Sequence, residues 1–177
     1  SVIVLVFAGE VFPQKQAVSP AKTELLQTNY FIFQENPALN AHLFLYNKAM
    51  AGKFKKIPDD SLAYYSFKDK IKSIPAKELP ELNSVLIFYR DSLLAKDLLF
   101  DSLMRNFSDK VGNPDFVTTK WQIQTLAKVN VFFPYFLKLY WPAIDAENKT
   151  WIKTNKDAII RLETSVVPEL ERIYQMK

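Results

Sequence analysis

The segment that decides the fold is residues 80–114, "PELNSVLIFYRDSLLAKDLLFDSLMRNFSDKVGNP". Pro80 opens it and Gly112 with Pro114 closes it, and neither proline nor glycine occurs between them. This punctuation is typical of a helix. At 100° per residue the apolar side chains fall on nearly every face, which is the pattern of a helix in the middle of a bundle. The sequence therefore predicts a long central helix over about residues 80–110.

The composition of the whole chain favours helices elsewhere as well. The chain has 177 residues, which is enough for one domain with a sizeable core. Apolar residues make up 49% and charged residues 24%, the balance of a folded globular protein. Only 3 glycines are present, too few for the turns of an all-β fold. We predict a single all-α domain over residues 17–177, an irregular bundle of five to seven helices around the central one.

Proline and glycine divide the remaining sequence into further helices. Asn36 followed by Pro37 is a good helix start and Gly52 a natural stop, so one helix is predicted over 37–51. The lysine-rich stretch 54–78 is predicted to be a connecting arm with one short helix through "SLAYYSFKDKI". Three more helices are predicted over about 118–133, between Pro134 and Pro142, and from about 143 to the end, the last kinked or split at Pro168.

The first residues carry a localisation signal. Residues 1–16, "SVIVLVFAGEVFPQKQ", contain an unbroken apolar run from Val2 to Ala8. This run resembles the hydrophobic part of a secretory signal peptide that lacks its basic start, and a buried β-strand is the alternative because Val and Ile dominate. It is too short to span a bilayer, which needs about 20 apolar residues. We expect a signal-peptide remnant and leader over 1–16, a periplasmic or extracellular protein, and no membrane span.

The charge and the cysteine count exclude several functional classes. The net charge of +4 comes from lysines scattered among acids, without the basic face that a nucleic-acid-binding protein presents. The chain has no cysteine, so disulfides, thiolate nucleophiles and sulfur-ligated zinc or iron are excluded. We therefore expect no nucleic-acid partner.

His42, the only histidine of the chain, is a candidate functional residue. Helical spacing places it among apolar residues, where a lone histidine is usually a hydrogen-bonded core residue. A zinc site around it would need carboxylates for all its other protein ligands, which is uncommon. The core interpretation is favoured over catalysis, and no metal site is predicted.

A second candidate is a stripe of four charged residues on the predicted central helix, at Arg90, Asp97, Asp101 and Arg105. Two carboxylates four residues apart can perturb each other's pKa or hold a cation. The alternative is an ion-pair ladder in which Asp101 pairs with Arg105 at the favourable four-residue step. The ladder is favoured because paired acids in catalysis also need an open cleft.

The third candidate is the stretch "LKLYWPAIDAENKTWI", residues 137–152. A helix starting near Pro142 places Asp145 and Asn148 on one side with Trp151 beside them, and Trp141 just before the proline. Tryptophan beside Asp and Asn is an arrangement that holds sugars. The favoured alternative is a packed corner in which the polar residues cap free amides.

Three stretches together resemble a known group of proteins: "NPALNAHLFLYNKA", "YRDSLLAKDLLFD" and "YWPAIDAENKTWI". They are similar to the helical N-terminal region of uncharacterised secreted bacterial proteins that carry a zincin-like H-E-x-x-H segment further on. The resemblance covers about residues 30–175 and implies a catalytic motif beyond Lys177. It transfers no catalytic residue, because His42 is followed by Leu-Phe-Leu.

The functional expectation is an exported binding or scaffolding module for an unknown protein or carbohydrate ligand, with no catalytic site and no cofactor in this chain. The alternative is the helical N-terminal part of a secreted zinc metallopeptidase-like protein, whose zinc and catalytic motif would lie beyond Lys177. A third hypothesis is a carboxylate hydrolase that uses Asp97 and Asp101.

Overall fold

The structure is a computed structural model that describes residues 23–98, 100–112 and 119–174. These residues form six α-helices and one two-stranded antiparallel sheet, which confirms the predicted all-α bundle and its helix count. The predicted leader, residues 1–16, lies outside the described residues. The elements in chain order are β1 (Thr23–Gln27), β2 (Ile32–Glu35), α1 (Pro37–Phe54), α2 (Leu62–Ser66), α3 (Leu79–Phe88), α4 (Ser102–Lys110), α5 (Lys120–Leu139) and α6 (Trp141–Tyr174).

The predicted continuous central helix is wrong, because the segment is broken in its middle. Helix α3 ends at Phe88 and passes into a wide π turn over Tyr89–Leu93. The chain re-enters a helix at α4, where the Asp101 carboxylate caps the start by accepting from the N–H groups of Leu103 and Met104, at 2.9 and 3.0 Å. Aspartate offers the backbone this alternative to helical hydrogen bonding, so it favours a cap over a helix interior.

Helix α1 begins as predicted and runs three residues further than predicted. The Asn36 side chain caps it by accepting from Leu39 N–H at 3.0 Å, and Pro37 follows in the first turn. Gly52 lies inside the helix and is buried, so it is not the predicted stop. A β-carbon at this position would collide with the Leu62 side chain, so glycine here lets α1 and α2 approach closely.

Neither internal proline ends its helix. Helix α5 starts with a capping box between Thr119 and Gln122 and continues through Pro134 to Leu139, so the separate short helix predicted between Pro134 and Pro142 is wrong. Helix α6 likewise continues through Pro168 without splitting. Each proline lacks the N–H that would donate to the carbonyl group four residues earlier in the helix. Both prolines are exposed, so water can hydrogen-bond to that carbonyl instead. None of the described helices is both long and apolar enough to cross a membrane.

The core is centred on aromatic rings contributed by α1, α5 and the turn after α2. Phe132 of α5 stacks between Phe44 and Phe67, with ring centroids 5.5 and 5.3 Å away. The rings of Phe136 and Tyr140 lie 6.0 and 6.4 Å from Phe132 and extend the cluster towards the start of α6. These contacts hold α5 against α1 and so position the first turns of α6.

The β1–β2 hairpin, which the sequence pattern does not predict, lies against α6. Thr23 pairs with Glu35 and Gln27 with Ile32, and an irregularity in the register falls between Glu24 and Leu26. A two-stranded hairpin is at best marginally stable by itself, so this one depends on the helix beneath it. It brings residues near the start of the described chain onto the last helix.

Candidate functional site

Two buried glutamates fasten the hairpin to α6, one at each end. At the open end, the Asn148 side-chain amide donates to the Glu35 carboxylate, with 3.2 Å between Nδ2 and Oε1. At the turn, Oε1 of Glu163 accepts from the Thr28 hydroxyl and from the Tyr30 N–H, both at 2.6 Å. Glu35 and Glu163 are 5% and 4% exposed. The hairpin is therefore held by buried polar contacts, whose loss would leave donors without partners.

A cleft of about 200 Å³, here called the Trp151 cleft, lies between the hairpin and the first half of α6. The Trp151 side chain forms part of its wall and is 54% exposed. A second concavity of about 440 Å³ borders the other side of Trp151 along α6. The residues lining the Trp151 cleft are Leu25, Phe33, Gln34, Glu35, Asn148, Trp151 and Ile152.

Two carboxyl groups lie next to each other at the polar end of the cleft. Burial raises the pKa of Glu35 above its ordinary value, the Asn148 amide opposes this shift, and the neighbouring Asp145 carboxyl adds to it. Asp145 differs because Lys149 lies 2.7 Å from its carboxylate and holds its pKa below the ordinary value. The pair therefore has one carboxyl that stays ionised and one, Glu35, that takes up a proton more readily. When it is protonated, the Glu35 carboxyl can donate a hydrogen bond as well as accept one.

Glu35→Gln is expected to raise the melting temperature at pH 7. A raised pKa in the folded state means that folding favours protonated Glu35, so this stabilisation is present below the ordinary pKa of 4.5 and lost as pH rises through the raised value. Glutamine mimics the protonated form at every pH, and its amide can donate to Asp145. The gain should therefore disappear near pH 4. Thermal melts at both pH values test this, with the exposed Glu24→Gln in β1 as the matched control; a variant less stable than the parent at pH 7 would contradict it.

The structure separates the residues of the predicted tryptophan cluster. Trp141 packs against Phe136 with ring centroids 6.0 Å apart, so it belongs to the packed corner. Asn148 and Trp151 line the cleft, and Asp145 lies beside Glu35. Glu35 is missing from the sequence-predicted set because it lies more than a hundred residues earlier in the chain. The only signal that could have found it was a hairpin before Asn36.

The four charged residues of the predicted central stripe do not form one stripe, because the helix that would align them is broken. Arg90 pairs with Asp59 at 2.6 Å and with Asp91 at 2.7 Å. The Asp97 carboxylate accepts from the N–H of Phe100 at 2.9 Å. The remaining two members of the stripe also separate: Asp101 caps α4 and lies 3.6 Å from Lys96, whereas Arg105 is exposed on α4. The predicted pairing of Asp101 with Arg105 is replaced by a helix cap.

His42 lies in the core, which agrees with its interpretation as a hydrogen-bonded core residue. It is fully buried, its Nδ1 lies 2.8 Å from the Tyr89 hydroxyl, and its ring meets the Phe107 ring edge-on at 5.0 Å. Burial lowers its pKa to about 4, so the ring is neutral at pH 7. Its Nε2 has no hydrogen-bond partner among the described residues. Within the same residues, no group of three or more histidine, aspartate or glutamate side chains could hold a metal ion.

The cleft cannot be interpreted through relatives. No protein-family model, curated protein or solved structure matches this chain. The resemblance to uncharacterised secreted bacterial proteins therefore stays a hypothesis. The chemistry of the Trp151 cleft is the basis on which a function can be proposed.

Proposed function

We propose that this protein is an exported binding module that holds a carbohydrate in the Trp151 cleft. The observation that carries the proposal is the half-exposed Trp151 ring, 54% accessible, in one cleft with the Asn148 amide and the Glu35 carboxyl. Export is supported by the apolar run from Val2 to Ala8. The proposed binding requires no metal and no cofactor.

The lining of the cleft suits a ligand that has both an apolar face and hydroxyl groups. An aromatic ring packs against the C–H face of a sugar, and the amide and carboxyl groups hydrogen-bond its hydroxyls. Phe33 and Ile152 add apolar surface next to Trp151. A mostly apolar concavity with a few convergent polar groups is the usual form of a small-ligand site.

The position of the cleft on rigid elements favours binding without rearrangement. Asn148 and Trp151 lie on α6, one turn apart, so their relative position is set by helix geometry. Glu35 is held at the end of β2 by its contact with Asn148. Binding groups on regular secondary structure lose little freedom when a ligand binds, which favours affinity.

The proposal is tested with an array of purified oligosaccharides, followed by calorimetry with those that bind. Trp151→Ala is expected to weaken binding at least tenfold, about 1.4 kcal/mol. Tyr64→Ala is the matched control, because it removes an aromatic ring that is 63% exposed on α2, outside the cleft. Absence of binding to every glycan, or equal loss in both variants, would refute the carbohydrate proposal. N-terminal sequencing of the protein recovered from outside the cytoplasm checks export.

A further inference from the structure

Helix α6 carries an apolar stripe in its second half. Its members are the half-buried Ile159 and four exposed residues, Leu162, Val166, Leu170 and Ile173, here together called the α6 stripe. Leu162 and Ile173 are 63% and 60% exposed, and Val166 and Leu170 are 38% and 41% exposed. At 100° per residue the five side chains fall within an arc of about 80°, so they share one face.

The hairpin covers the neighbouring face of α6 and leaves this one open. Its turn contacts Glu163 and its Tyr30 hydroxyl reaches Glu171, both on the adjacent side of the helix. Val167, also on that side, is 7% exposed. Among the described residues, nothing covers the exposed members of the α6 stripe, although the hairpin covers the neighbouring face of the same helix. A continuous apolar surface of this kind marks an interaction surface.

The spacing of the α6 stripe favours a second copy of this chain as the partner. Successive members are three, four, four and three residues apart, so the stripe reads the same in both directions from Val166. A second copy of α6 running antiparallel would place Ile159 opposite Ile173, Leu162 opposite Leu170, and Val166 opposite its own counterpart. A surface that matches itself under a two-fold axis is what a symmetric dimer requires. Steps of three and four residues are also those of helices that pack side by side.

Charge and area are both compatible with self-association. On the exposed edge beside the stripe, Glu169 and Arg172 pair with each other at 2.9 Å, so that edge presents no excess of one sign. The stripe extends over about 22 Å of helix. The hairpin turn beside it adds the exposed side chains of Tyr30, Phe31 and Ile32, at 61%, 44% and 56%. A specific interface of standard size buries about 800 Å² per partner, and the hairpin turn brings the contact nearer to that size than the stripe alone would.

We propose that this protein forms a two-fold symmetric dimer in which the α6 helices pack antiparallel through the α6 stripe, with Val166 at the symmetry axis. The proposal does not depend on the carbohydrate-binding function.

Light scattering of the full chain at about 100 μM tests the dimer. The parent and Phe54→Glu are expected to be dimers, because Phe54 is 79% exposed at the end of α1 and is not a member of the stripe. Val166→Glu and Val166→Lys, each alone, are expected to be folded monomers, because two like charges would meet at the axis. Mixing these two variants should restore a dimer. A monomeric parent, or a mixture that stays monomeric, would overturn the proposal.

Cross-linking then tests the register, since the chain has no cysteine of its own. Val166→Cys is expected to link two copies under mild oxidation, because the two positions meet at the axis. Ile159→Cys should not link to itself but should link to Ile173→Cys. A link between two copies of Ile159→Cys would indicate a parallel pair and refute the register. A monomeric parent that binds anionic lipid vesicles would assign the stripe to a membrane surface instead. A cross-link within one chain of the double variant Val4→Cys, Val166→Cys would assign it to the leader.

Discussion

Phe132→Ala is expected to lower the free energy of unfolding by about 3–5 kcal/mol, measured by urea denaturation. Phe132 is fully buried, and its ring stacks on both Phe44 and Phe67. Its truncation removes the apolar side chain from the middle of the aromatic cluster and leaves a cavity that three elements would have to close. Because small domains are stable by only about 5–15 kcal/mol, this loss is a large part of the total.

The matched control for this substitution is Phe100→Ala. The Phe100 side chain is 85% exposed, so its removal loses few apolar contacts with the rest of the protein. We expect a change within about 0.5 kcal/mol. Similar losses for the two variants would mean that α5 does not pack against α1 and the turn after α2 in the way described.

The free energy of unfolding is expected to fall by on the order of 3 kcal/mol between pH 6.5 and pH 4 because of His42 alone. Burial lowers the pKa of this residue from 6.5 to about 4. Over that interval the unfolded chain binds a proton that the folded protein does not, so stability falls as the pH falls. The stabilisation is fully present only well above pH 6.5, where His42 is neutral in both states.

The variant His42→Asn isolates this contribution, since the chain has no other histidine. The asparagine amide can still hydrogen-bond the Tyr89 hydroxyl, which lies 2.8 Å from His42 Nδ1 in the parent. The variant should be less stable at pH 7, and its stability should depend less steeply on pH between 6.5 and about 4.5. Parallel pH profiles for parent and variant would contradict this prediction. They would mean that His42 binds its proton as readily in the folded protein as in the unfolded chain.

Short-range patterns predicted that three residues at or beside the Trp151 cleft lie close together. Asp145, Asn148 and Trp151 lie within seven residues of sequence, and one turn of helix per 3.6 residues is enough to bring them together. Glu35 could not be predicted in the same way, because it reaches them only through the packing of the hairpin on α6. The different roles of Trp141 and Trp151 have the same origin, since only the packed structure shows which ring the core covers.

The broken central segment shows where sequence periodicity fails. Residues 80–110 have the composition of one helix, and no proline or glycine interrupts them. The competing signal was the pair Asp97 and Asp101, whose carboxylates accept backbone N–H groups, and Asp101 caps the new helix. An aspartate inside an apolar run is therefore ambiguous in sequence, since it can lie on a helix surface or cap the next helix.

The sequence by itself determined the helical class, the start of α1 at Asn36 and Pro37, and the helical grouping of Asn148 with Trp151. These features depend on residues at most a few turns apart, whose geometry the backbone sets. Only the tertiary structure decided that Pro134 and Pro168 do not end their helices and that Glu35 completes the cleft. Each of these outcomes depends on which surface a distant element covers, and the free energy of that burial outweighs local propensity.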